Sequence, residues 1–177
     1  MDMDNEVLRA IRERRSIRKY RPEQIKDEEL QAVLEAGTWA PSGMGYQNSY
    51  ICAVQDKETC DKIRRLNGEV LGNPEADPYY GAPTIILVFS KSDWHNTVKD
   101  GSLVLGTMLL AASTIGLGGC WINRCEEVFA SEGGKALLGK LKVPEGYEAV
   151  GSMSLGYPAS PARAPRPRKE DYFRVIK

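Results

Sequence analysis

The chain has 177 residues, 42% of them hydrophobic and 27% charged, with 24 basic side chains balanced by 24 acidic ones and a pI near 6.6. That length suits a single domain, residues 1–177, with its own core, and near-neutrality argues against a dedicated nucleic-acid binder with a broad basic face. The acidic start, Met1-Asp2-Met3-Asp4, leads into no apolar run, and the four cysteines form no CxxC pair, so reduced thiols in a cytoplasm are expected rather than a secreted disulfide framework.

Asp4 is placed to cap a helix that carries Val7, Leu8 and Ile11 on one face. Asp27 caps a second helix with Leu30, Val33 and Leu34 inward, ending at Gly37. Trp39 to Asn48 is a loop by its Pro and Gly content. Ser49 to Gln55 reads as a strand and Lys57 to Leu66 as a short helix. Asn67 to Tyr80 is polar and punctuated by Gly and Pro, which predicts a mobile excursion. Pro83 to Ser90 is apolar on both faces and β-branched, hence a central strand. Trp94 and His95 fall in the loop after it. A surface histidine is the plain reading, and with no metal-spaced partner it supports no zinc site.

Thr97 to Ile115 predicts a long helix, apolar nearly all round, buried in the protein or in a subunit interface. Its apolar stretch, Leu103 to Leu117, is shorter than the roughly 20 residues of a membrane span. Gly119 to Arg124 is a short strand. Glu126 to Leu141 is helical, weakened at Gly133-Gly134, and Glu148 to Gly156 alternates into a last strand. From Tyr157 onward Pro and basic residues keep the tail extended. Tyr172, Phe173, Val175 and Ile176 suit its end for docking. Strands and helices mix without a βαβ rhythm, so the chain reads as α+β, a sheet between helices, rather than as a Rossmann fold.

Charge is unevenly placed. Seven Lys or Arg and one acid lie between Arg9 and Arg21, and four more cations lie between Arg163 and Lys169. The rest of the chain is acidic in excess. Arginine binds phosphate through a planar fork of donors, so two such clusters suit a compact anionic group. Taken one at a time, the first-cluster arginines equally suit a solvated helix end, where the dipole favours cations. The acidic body argues against nucleic acid and membrane as the anion's source, which leaves a cofactor.

Five segments, in order, now carry a resemblance. They are Arg14-Arg15-Ser16-Ile17-Arg18; Ala40-Pro41-Ser42-Gly43-Met44-Gly45-Tyr46-Gln47; Asn67; Gly116-Leu117-Gly118-Gly119-Cys120-Trp121-Ile122-Asn123; and Gly156-Tyr157-Pro158 leading to Arg166-Pro167-Arg168. Along nearly its whole length the chain resembles the FMN-dependent nitroreductase family. The glycines at 116–119 are not a dinucleotide fingerprint, because a helix precedes them and an extended segment follows.

The resemblance implies a three-layer α+β fold, with a mixed, mainly antiparallel sheet flanked by helices and an extended C-terminal arm. It implies a homodimer with one FMN per subunit in sites built from both chains. NADH or NADPH would be the reductant, and a nitroaromatic or quinone-type acceptor would follow in a ping-pong cycle. Flavin reductase, ene-type reductase, dehalogenase or peptide oxidase chemistry on the same fold, or a non-catalytic flavin sensor, are the alternatives.

By the same resemblance Arg14, Ser16, Arg166 and Arg168 contact the phosphate, while Arg15 and Arg18 reach the phosphate or the ring's polar edge. The loop with Pro41, Ser42, Gly43 and Gln47 approaches the flavin from the neighbouring subunit. Gly45 stands where the family often has Asn, and Asn48 where it often has Pro. Backbone around Ile122, Asn123 and Arg124 faces the flavin, with an amide donating to its reactive nitrogen. Cys120, Trp121 and Ile122 also read as ordinary core strand. Asn67 bonds the ring's pyrimidine edge or is a turn asparagine. No protein acid, base or nucleophile is nominated, since redox chemistry belongs to the cofactor.

Overall fold

Strand β2 (Thr84–Lys91) is buried on both faces and divides the core in two. Its side chains alternate, so Ile85, Leu87 and Phe89 enter one apolar cluster while Ile86 and Val88 enter the other. The structure, a computed structural model, describes residues 5–177. Strand β2 lies between β1 (Ser49–Val54) and β4 (Tyr147–Gly156), and β3 (Gly118–Ile122) completes the order β1-β2-β4-β3. All three ladders are antiparallel. A register shift at Val88/Phe89 leaves Val150 as an extra residue on β4.

Helices α3 (Lys57–Leu71), α5 (Cys125–Ala130) and α6 (Glu132–Leu138) cover the first face, through Ile63, Leu66, Val128, Phe129 and Leu137. Helices α2 (Asp27–Thr38) and α4 (Thr97–Thr114) cover the second, through Val33, Val104, Leu105, Met108 and Leu109. Helix α1 (Glu6–Glu13) lies against α4. The result is the expected three-layer α+β arrangement.

Several local expectations change. Asp4 lies outside the described residues, and Asn5 caps α1 by accepting the Leu8 N–H at 2.9 Å. The apolar stripe of α1 does not pack inward: Val7 and Ile11 are 63% and 54% exposed. Asp27 is the first helical residue of α2 rather than its cap. The reciprocal bond comes from Glu29, whose carboxylate accepts the Lys26 N–H at 2.9 Å. Gly37 is not a terminator either. A Cβ there would lie 2.8 Å from Met108 Cγ and 2.9 Å from Ile51 Cδ1, so glycine serves close packing and α2 continues to Thr38.

Helix α3 runs to Leu71, because Leu66, Asn67 and Gly68 form a buried face that composition hides. The segment after it is tied down rather than loose. The Asp77 carboxylate accepts the Tyr79 and Gly81 N–H groups at 2.9 and 2.6 Å, and Tyr79 is 1% exposed. The predicted single helix over Glu126–Leu141 is two, broken at Ser131, whose hydroxyl accepts the Gly134 N–H at 3.1 Å. Helix α4 is buried on one side only, with Val98 and Leu103 exposed. Tyr172, Phe173, Val175 and Ile176 at the tail's end stay exposed rather than docked among the described residues.

Candidate functional site

The segment after α1 is threaded between β3 and the start of the tail. Ser16 bridges Gly119 in parallel, and the Ile17 N–H donates to the Gly119 carbonyl at 3.1 Å. Ile17 packs where a Cβ on Gly118 would sit, at 2.8 Å, which explains a glycine there. On the other side Tyr20 bridges Pro158, the Arg21 N–H donates to the Tyr157 carbonyl at 2.9 Å, and the Ala159 N–H donates to the Lys19 carbonyl at 3.0 Å. These bonds bring together the two basic clusters, which lie at opposite ends of the sequence.

A cavity of about 630 Å³ results. Arg15, Ser16, Arg18, Arg166 and Arg168 line it with Lys19 and Arg163, and among the described residues no carboxylate does. Arg14 instead lines the adjoining groove of about 800 Å³ along α1 and α4, which Arg15 also borders. One Arg15 nitrogen, Nη1, donates to the Arg12 and Arg14 carbonyls at 2.6 Å each, closing the end of α1. Its Nε is buried and has no partner among the described residues. The arginines and the lysine that line the cavity fit an anion with several acceptor oxygens, such as a phosphate.

At the far end of β3 the chain turns sharply. Arg124 adopts a left-handed backbone, φ 70° and ψ 15°, just before α5. That conformation costs energy for a non-glycine residue and persists where neighbours fix it. Asn67 fixes it. Its Oδ1 accepts from Arg124 Nε at 3.0 Å and its Nδ2 donates to the Asn123 carbonyl at 2.9 Å. Asn67 thus sits on α3, fully buried, with both ends of its amide engaged by the 123–124 turn.

Behind the turn, Tyr79 Oη pairs with Ser152 Oγ at 3.0 Å, and Ser152 Oγ donates to the Ile122 carbonyl at 3.2 Å. Gly119 and Asn123 are four residues of extended chain apart, about 13 Å at 3.3 Å per residue. The basic cavity and the strained turn therefore lie at opposite ends of one short strand.

Burial pushes the Cys125 thiol beside this turn up to about 12. A raised thiol stays protonated at pH 8 and is a poor nucleophile. Cys125 is expected to escape iodoacetamide at pH 8 in the folded protein and to label on unfolding, read by peptide mass mapping.

Pro41, Ser42, Gly43 and Gln47 share a loop at the start of β1. Ser42 Oγ accepts the Gln47 N–H at 3.0 Å, and Met44 and Gln47 take φ values of 55° and 53°. Ser42 and Gln47 line a separate cavity of about 510 Å³ beside α2. Within one chain this loop shares no lining residue with the basic cavity.

Sequence reading missed what holds the loop. Asp100, 3% exposed, accepts the Gly43 N–H with Oδ1 at 3.0 Å and the Trp94 indole N–H with Oδ2 at 2.8 Å. The available signal was an acid in the first turn of an otherwise apolar helix.

Comparison with known proteins agrees with this architecture. The nitroreductase family model matches residues 11–157. A relative from Archaeoglobus fulgidus, whose name carries NADH dehydrogenase and NAD(P)H nitroreductase, is 33% identical over 155 residues, 86% of each chain. The NAD(P)H FMN reductase of Bacillus subtilis is 30% identical over 186 residues, 92% of this chain and 70% of that one. The crystal structure of a Bacteroides fragilis nitroreductase with bound FMN matches with a TM-score of 0.91 at 30% identity, over 98% of this chain and 100% of that one. The chain belongs to the nitroreductase family.

Proposed function

We propose that this chain is an FMN-dependent oxidoreductase that uses NADH or NADPH to reduce an electron-poor small molecule. The carrying observation is the basic cavity, lined by no carboxylate among the described residues, one strand away from the strained Asn123–Arg124 turn. Arg15, Ser16, Arg18, Arg166 and Arg168 hold the phosphate, with Arg14 beside them. Backbone at Ile122, Asn123 and Arg124 orients the ring's reactive edge, and Asn67 keeps that backbone in place. When bound, FMN would supply the redox chemistry, hydride exchange between a nicotinamide and a nitroaromatic or quinone-type acceptor in a ping-pong cycle. No side chain is assigned as acid, base or nucleophile.

The protein acts as one domain and as a cytoplasmic homodimer. Exposed Val7, Leu8, Ile11 and Leu103 beside the α1–α4 groove, and the exposed apolar residues of the tail, support a second copy packed on this face. So does the placement of the Pro41–Gln47 loop away from its own chain's basic cavity. Reduction of free flavin is the second reading, favoured by the Bacillus subtilis relative and by the NADPH-flavin oxidoreductase of Vibrio harveyi, 29% identical over 164 residues.

The absorption spectrum tests the proposal. A flavin band is expected in purified protein or after adding FMN, and it should bleach when NADH or NADPH is added without oxygen. A protein that never shows the band sinks the proposal, and a band that neither nucleotide bleaches leaves a binding protein. Turnover with nitrobenzene, benzoquinone and free FMN ranks the acceptors.

A further inference from the structure

Strand β3 is last in the sheet order, so one of its edges pairs with β4 and the other is open beyond the Ser16 bridge at Gly119. Successive carbonyls along a strand point to opposite edges. The Gly119 carbonyl accepts the Ile17 N–H on the open edge, so the Cys120 and Ile122 carbonyls turn towards β4. The same arrangement is built onto both of them. Ser154 Oγ donates to the Cys120 carbonyl at 3.4 Å and pairs with Tyr20 Oη at 2.8 Å. Ser152 Oγ donates to the Ile122 carbonyl at 3.2 Å and pairs with Tyr79 Oη at 3.0 Å. Both serines are fully buried, and Tyr20 and Tyr79 are buried with them.

The direction of these bonds follows from the protons present. A serine hydroxyl has one proton to give. Ser152 gives it to the Ile122 carbonyl, so the Tyr79 hydroxyl is the donor to Ser152. Donors linked in a chain polarise one another. In a planar trans peptide the carbonyl and the following N–H point opposite ways. The Ile122 carbonyl turned towards β4 therefore sends the Asn123 N–H off the open edge. That is the edge on which Ser16, a residue of the basic cavity, bridges Gly119. Asn67 holds the next carbonyl, that of Asn123, from inside the protein at 2.9 Å.

We infer that Tyr79 and Ser152 are positioning residues that act through the Ile122 carbonyl to aim and polarise the Asn123 N–H, and so set how readily a flavin bound along this edge is reduced. Hydrogen bonds to ring nitrogens are one of the means by which a protein tunes a cofactor. The reactive nitrogen accepts such a bond when the ring is oxidised and carries its own hydrogen when it is reduced. An N–H aimed at it therefore favours the oxidised ring. The Tyr20–Ser154 pair acts on Cys120, nearer the phosphate end of the strand, and lacks this effect. The inference rests on the FMN reading above.

The test is the midpoint potential of FMN on the full chain, read by reductive titration against a reference dye, in Tyr79→Phe and Tyr20→Phe. Each variant keeps its ring and loses one buried hydroxyl bonded to a serine, so both should lose stability. Only Tyr79→Phe is expected to raise the potential, by about 30 mV, which is a tenfold change in the ratio of oxidised to reduced FMN affinity for a two-electron couple. Ser152→Ala, which removes the donor to the Ile122 carbonyl itself, should also raise it and serves if Tyr79→Phe does not fold. An unchanged or lower potential, or an equal rise in Tyr20→Phe, overturns the assignment while leaving the FMN reading intact. Wild-type protein that binds no FMN overturns that reading first and the inference with it.

Discussion

Protein carrying Arg166→Ala and Arg168→Ala together is expected to leave purification largely without FMN. Both residues line the cavity that also holds Arg15, Ser16 and Arg18. Hydrogen bonds to charged groups are worth about 1.5–3 kcal/mol each, so each truncation should weaken FMN binding by about one to two orders of magnitude. The pair should exceed either single change, though not by strict addition, because both act on one phosphate. Exposed cations are screened by salt, so wild-type affinity should also fall as ionic strength rises. Titration of apo-protein with FMN, followed by flavin fluorescence, reads all of these. Arg168→Lys should recover less than full affinity, because an ammonium lacks the forked pair of donors. A double variant that binds FMN as tightly as wild type would place the phosphate elsewhere.

Gly134→Ala should destabilise the fold by about 3 kcal/mol or more, the upper end of overpacking effects. A Cβ at this position would lie 1.9 Å from the Val128 carbonyl oxygen and 2.7 Å from the Phe129 Cα. Both obstacles are backbone, so no rotamer change relieves them. The α5–α6 corner would have to open, and Val128, Phe129 and Leu137 would leave the cluster they share with Ile85, Leu87 and Phe89. Urea unfolding followed by circular dichroism measures the loss. Gly139→Ala is the matched control, because a Cβ there meets nothing within 4 Å and the backbone is already right-handed helical. Equal stability of the two variants would refute the steric account.

The layers were legible in the sequence because strand periodicity is strong where both faces are buried. Ile85 to Phe89 announces a central strand from its residues alone. The basic clusters were also visible, since charge is written in composition. The route that joins them was not. It depends on Ser16 meeting Gly119 and Tyr20 meeting Pro158, contacts between residues far apart in sequence and unmarked by any local pattern.

Asn67 shows a different limit. As a polar residue beside Gly68 it read as the start of a loop, yet it belongs to the buried face of α3 because Asn123 and Arg124 satisfy its amide. From sequence alone Gly133-Gly134 reads as a soft point in one helix. Gly134 lets two helix backbones touch at a corner and Gly133 leaves room for the Leu66 side chain, contacts that only tertiary structure reveals. Asp100 was overlooked because one acid in an apolar helix looks like a defect until its two donors are seen.

The threading of residues 16–21 between β3 and the tail has a consequence for how the chain holds itself closed. An anion held by both basic clusters would tie residues 15–19 to residues 160–168, far apart in sequence. Its binding would stabilise the folded chain by an amount that grows with the free ligand concentration relative to Kd, because an unfolded chain has no such cavity. The ligand then acts as a removable staple, and loss of it should be felt first at the two termini and last in the central strands.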